Sequence, residues 1–127
     1  MPHEHHDHEG LISGITEQMK RLLDNSDHAI YIYLDDTHKV CNKNYATLLG
    51  FKSPQEWAKI SDPLNETVAE KSKKNLVTAY TKAMKKGAGS TVKITWKKKS
   101  GVNVNTNVIL VPIMYNGHAM ALHFVSK

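Results

Sequence analysis

Residues 91–125 read TVKITWKKKSGVNVNTNVILVPIMYNGHAMALHFV. Val92, Ile94 and Trp96 alternate with Thr91, Lys93 and Thr95, the two-residue period of a strand buried on one face. Ser100-Gly101 is turn chemistry, and Val102 to Tyr115 predicts a long strand. Asn116-Gly117 is a strong hairpin signal, and Ala119 to Val125 predicts a last strand. The short connections predict an antiparallel meander of these three strands.

Upstream, Ala29 to Leu34, AIYIYL, mixes β-branched and aromatic residues as a strand does. Asp35, Asp36 and Thr37 supply turn chemistry before a second short strand at about Lys39 to Lys43. Between these strands and the meander the pattern turns helical. Asn44 can cap a helix with Ala46 or Thr47, Leu48 and Leu49 on its inner side, and Gly50 suits its left-handed end. Ser53-Pro54-Gln55-Glu56 carries an N-cap, a first-turn proline and a capping-box acid. Asp62-Pro63 repeats the device. A long helix is expected from about Asn65 to Lys86, with Val68, Leu76, Ala79 and Tyr80 on one side and Gly87 as its stop. The fold class expected is α+β: a five-stranded antiparallel sheet with helices packed on one face.

Ahead of the sheet, residues 11–26 place Leu11 or Ile12, Ile15, Met19 and Leu22 or Leu23 at three- and four-residue spacings, an N-terminal amphipathic helix. Residues 1–10 open MPHEHHDHE; acids and imidazoles give nothing to bury, so a flexible His-rich arm is expected there. The domain proper is then 27–127, with no repeat or linker inside it.

The composition, 40% hydrophobic and 23% charged over 127 residues, is that of one globular domain. Cys41, the single cysteine, has no internal partner and fits a reducing, cytoplasmic setting. No run approaches the roughly 18–20 apolar residues of a membrane span, and the N-terminus lacks a secretory pattern. The net charge of +5 gathers at Lys71, Lys73 and Lys74, at Lys82, Lys85 and Lys86, and at Lys97 to Lys99. No aromatic residues interleave them to stack bases, so they read as a solvated helix face and a charged hairpin tip rather than a nucleic-acid surface.

Taken in order, several pieces resemble the PAS domains, over about residues 25–125. Asp35, Val40 and Asn44 sit at the family's spacing, with His38 where it usually has Gly. Leu49-Gly50-Phe51, Ser53 with Glu56, Lys99-Ser100-Gly101, Pro112 and Gly117 follow as they do in that family. The ending departs from it: Phe124-Val125-Ser126-Lys127 stands where many PAS domains have an Asp-Ile-Thr step into an effector. The resemblance implies a sensory or regulatory domain with no output domain in the same chain.

It also implies where to look for a ligand. A haem-binding PAS takes its axial His from the long helix, but no His lies between Asn65 and Lys86, which leaves His123 as the only candidate. The photoactive-flavin motif, an Asn-Cys-Arg-type helix, is absent, and Cys41 reads as a packed, inert thiol. The standard haem and flavin sites are therefore missing and the cofactor is unknown. Alternation and helical phase give an apolar pocket drawn from Ile32, Ile94, Trp96, Val108, Leu110 and Leu122 on strands, and from Leu48, Trp57, Leu76 and Tyr80 on helices. Asn44 and Thr106 would add polar contacts.

Such a pocket would hold a small apolar ligand. The alternative is a filled core, the domain then serving as an interaction module that docks a separate signalling effector. Ile12, Ile15, Met19 and Leu22 could form a two-chain seam, giving a homodimer through the first helix and the sheet, or the helix could fold back on its own sheet. A third reading is metal handling by His3, His5, His6 and His8. No nucleophile elbow or phosphate loop is present, so an enzyme is not expected.

Overall fold

The computed structural model describes residues 4–34, 38–115 and 117–127, except for the side chains of 4–9, 11, 12 and 115. Asp35 to Thr37, where a turn was expected, and Asn116 lie outside the described residues. In chain order the elements are α1 (Glu4–Asn25), β1 (Ala29–Tyr33), β2 (Lys39–Cys41), α2 (Lys43–Leu48), α3 (Pro54–Ala58), α4 (Pro63–Thr67), α5 (Glu70–Lys86), β3 (Ser90–Lys97), β4 (Asn103–Tyr115) and β5 (His118–Ser126). All strand pairs are antiparallel and the sheet order is β2-β1-β5-β4-β3. The expected meander is thus β3-β4-β5, and β1 adds to its β5 edge.

The helices between β2 and β3 cover one face of this sheet. Tyr31, Tyr45, Trp57, Val68, Leu76, Ile94, Trp96 and Val108 form its main core, and Ala79, Ala83, Leu110 and Ala121 extend it beneath α5. α1 lies on the opposite face, where Ile15 and Leu23 are buried with Ile30, Ile32, Leu34, Met120 and Leu122. Both faces of β1 are therefore covered.

Three local expectations change. The cap of α2 is Asn42 rather than Asn44: its Oδ1 accepts from Tyr45 N at 3.0 Å, and the helix starts two residues earlier than expected. Asn44 is exposed within the first turn, where its Nδ2 donates to the carbonyls of Ser26 and Asp27. Second, the helix expected over 65–86 is two helices. Val68 is extended (φ −112°, ψ 128°) and bridges to Trp96, and Ala69 N donates to Thr95 O at 3.0 Å. Pairing with β3 and burial of Val68 outweigh the local helical pattern. Ser72 Oγ then accepts from Thr95 N at 2.8 Å, which ties α5 to the same strand.

Third, the helical backbone of α1 begins at Glu4, inside the expected arm. Other signals hold as expected. Ser53 Oγ accepts from Glu56 N at 3.2 Å, although Glu56 Oε1 accepts from Lys52 N at 2.8 Å instead of from the cap residue. Gly50 takes φ +84°, a left-handed conformation that a side chain would strain.

Candidate functional site

Alternation along β1 and β5 sends Tyr31, Tyr33 and His123 to the inner face, beneath α2, α4 and α5. Trp96 of β3 joins them; its Nε1 donates to Thr106 Oγ1 at 2.7 Å, and Thr106 Oγ1 donates to Ile94 O at 2.9 Å, so the indole is held in place. α2 contributes Tyr45, α4 Leu64 and Thr67, and α5 Leu76, Val77 and Tyr80. Together with Asp62, Pro63 and Val68 these residues line a pocket of about 250 Å³ that is open to solvent on one side. An apolar cavity of roughly 150 Å³ can hold benzene, so there is room for one ring and its substituents.

The walls are mostly rings. Tyr31 stacks on His123, with centroids 4.0 Å apart and planes 9° from parallel, and on Tyr45 at 4.7 Å. Tyr33 meets Tyr80 edge-on at 5.9 Å, and Trp96 meets both Tyr31 and Tyr45 nearly at right angles. Two of these residues carry polar atoms that are buried and have no hydrogen-bond partner among the described residues: the Tyr31 hydroxyl and His123 Nδ1. Tyr31 and His123 are each 1% exposed, so water at the surface does not satisfy them. Trp57 Nε1 and Ser90 Oγ also lack partners, but they do not line the cavity.

The buried tyrosines and His123 on the inner side are uncharged at neutral pH. Burial pushes Tyr31, Tyr33 and Tyr45 well above the ordinary tyrosine range, with neighbouring tyrosines adding to it. Burial also pushes the His123 imidazole down to about 3, partly opposed by hydrogen bonding to the Tyr31 and Ala121 backbone. The folded chain therefore resists a proton that the unfolded chain takes up near its ordinary value of about 6.5. Stability is full above that pH and falls as pH drops from about 6.5 towards 3, by up to about 1.4 kcal/mol per pH unit for this one group. Urea titrations of wild type and His123→Phe across pH 4–7 should differ in slope by nearly one proton. Equal slopes would mean that His123 is charged in the folded protein.

Of the residues expected to form the pocket, Leu76, Tyr80 and Trp96 line the cavity. Ile32 and Leu122 lie on the other face of the sheet, beneath α1. Leu48, Trp57, Ile94 and Val108 pack in the inner core without lining the cavity, and Leu110 sits beneath α5. Asn44 is an exposed tether and Thr106 a buried support for Trp96. His123, named from sequence only as a candidate haem ligand, faces inward and is among the lining residues. The tyrosines of β1 went unrecognised because AIYIYL is apolar or aromatic at every position; a strand covered on both faces has no polar side to set its phase.

Of the seam candidates, Ile12 lies outside the described side chains, Ile15 is fully buried against the chain's own sheet and Met19 packs beside it. Leu22 is 36% exposed. Ile15 is thus part of the core, since its position on α1 points it at Ile30 and Ile32. The side chains of His3, His5, His6 and His8 lie outside the described residues. Cys41 is buried, and desolvation raises its thiol to about 12, leaving almost no thiolate. Among the described residues no helix is long and apolar enough to cross a membrane.

Against solved structures, the chain overlays a PAS domain from a two-component sensor histidine kinase with a TM-score of 0.65 at 13% identity, covering 90% of this chain and 97% of that one. It overlays the PAS domain of a protein from Colwellia psychrerythraea with a TM-score of 0.69 at 21% identity, covering 89% and 96%. The PAS domain of nitrogen regulation protein NR(II) from Vibrio parahaemolyticus gives a TM-score of 0.63 at 20% identity, covering 84% and 94%. No family model and no curated protein matches the sequence. The chain has the PAS fold.

Proposed function

We propose that this chain is a sensory or regulatory domain of signal transduction that holds a small molecule in the cavity between the sheet and α4–α5. One observation carries the reading: a space of about 250 Å³, lined mostly by aromatic rings, lies between the sheet and α4–α5. Neighbours of the same fold in a sensor histidine kinase and in a nitrogen regulation protein support the signalling role. The domain acts by binding rather than catalysis, in the cytoplasm. A ligand that fits the cavity better in one packing of α4 and α5 than in another would shift that packing and so pass on its presence.

A second reading, association with another copy or a signalling partner, is favoured by the sheet face that α1 leaves open. Ile109 is 49% exposed there, beside half-buried Phe124 and Val111, and Leu22 and Met114 are exposed too. Native mass spectrometry of the full chain tests both readings. The expected spectrum is a dimer, each copy carrying a molecule that leaves on gentle activation. A bare chain mass whose thermal midpoint no small-ring fragment raises would sink the ligand reading. A monomer at high protein concentration would sink self-association.

A further inference from the structure

We infer that the outer edge of β3 takes an acidic, extended segment of a partner protein as an added strand, whether or not the cavity holds a ligand. β3 comes last in the order β2-β1-β5-β4-β3, so one side of it has no neighbouring strand. Its register with β4 runs without a bulge from Ser90 opposite Leu110 to Lys97 opposite Asn103. Backbone groups therefore alternate strictly between β4 and the open side. Thr95 fixes the phase: its N–H donates to Ser72 Oγ and its carbonyl accepts from Ala69 N, both outside the ladder with β4. Thr91 and Lys93 share that parity. Their outward N–H and C=O groups have no partner among the described residues.

The chain itself uses this edge for strand pairing. Val68 is extended and bridges antiparallel to Trp96, and Ala69 and Ser72 then occupy the edge at Thr95. From Lys93 to Ser90, among the described residues, nothing continues that pairing. Instead a space of about 460 Å³ opens between β3 and α5, lined by Asn75, Thr78 and Lys82 on the helix and by Ser90 to Lys93 on the strand. A strand lies about 4.8 Å from its neighbour and brings alternating donors and acceptors, which Thr91 and Lys93 require.

Charge selects the partner. Lys82 and Lys93 line this groove, and Lys71, Lys93 and Lys127 line the adjoining one, with no Asp or Glu lining either. A peptide with acids at alternate positions would set them against these lysines. A second copy of this chain would bring the same lysines face to face, and lysines on an edge act against such pairing. A nucleic-acid backbone offers acceptor phosphates and leaves the Thr91 and Lys93 carbonyls unmet.

The test is a two-dimensional NMR titration of the full chain with a capped, alternating Glu-Val peptide of about six residues, an ordinary strand length. Binding should shift the Thr91 and Lys93 amides and slow their hydrogen exchange at least about tenfold. A Lys-Val peptide loses the charge match, and a Glu-Val peptide N-methylated at every amide loses the backbone donors. Each should bind at least about tenfold more weakly. Lys82 and Lys93 are both exposed, so the double variant Lys82→Glu/Lys93→Glu should keep the fold. In it the preference for Glu-Val over Lys-Val should shrink to within about threefold.

Strand addition at this edge falls if the Glu-Val peptide fails to bind below about 1 mM, or binds as well when N-methylated. Tighter binding of a short single-stranded DNA at the same lysines would overturn the peptide class in favour of nucleic acid. Shifts at Ile109 and Phe124 with Thr91 and Lys93 unmoved would place the peptide on the outer sheet face and overturn the edge.

Discussion

Replacing Asn42 with alanine is expected to lower the unfolding free energy by about 3–5 kcal/mol, a large part of what holds a domain of this size together. Asn42 is 3% exposed and joins three pieces of backbone. Its Oδ1 accepts from Ile30 N and Tyr45 N, each at 3.0 Å, and its Nδ2 donates to His28 O at 2.7 Å. The same side chain caps α2 and closes the β1 edge beside Tyr31. Alanine leaves the buried N–H groups of Ile30 and Tyr45 without acceptors. Asn44→Ala is the control: its two bonds are exposed and should be worth less than about 1 kcal/mol. Urea unfolding of both variants measures the difference. Similar, small losses would show that Asn42 is not the link between β1 and α2.

Ile15→Ala is expected to cost about 2–5 kcal/mol, whereas Leu22→Ala should change stability by less than about 0.5 kcal/mol. The two lie on one helix, but Ile15 is fully buried among Ile30, Ile32 and Met120 while Leu22 is 36% exposed. Truncating Ile15 removes apolar contacts and leaves a void under α1, and hydrogen exchange in β1 and β5 should speed up with it. The outcome that would remove α1 from its own sheet is specific: a fall in oligomer mass with the unfolding midpoint unchanged. Ile15 would then belong to a seam between chains.

Much of the fold was legible because its signals are local. The two-residue alternation of Val92, Ile94 and Trp96, the Gly117 turn (φ +79°) and the Ser53-Pro54 helix start each depend on a few neighbouring residues, and each appears where the pattern predicts. The helix boundary at Val68 was not legible, since a residue 28 positions away, Trp96, supplies the backbone pairing that draws it into an extended conformation. The cavity suffered in the same way. Leu76, Tyr80 and Trp96 were found because each sits on an element with one polar and one apolar side, so phase was fixed. Tyr31, Tyr33 and His123 were missed because β1 and β5 are buried on both faces.

By itself, then, the sequence determined the order of elements, the antiparallel meander and the set of side chains that must be buried, all of which follow from period and turn chemistry along short stretches. Only the tertiary structure decided which buried side chains face the cavity, since placing α1 over Ile30 and Ile32 commits their neighbours Tyr31 and Tyr33 to the other side. Successive side chains of a strand point to opposite faces, so covering one set fixes the other.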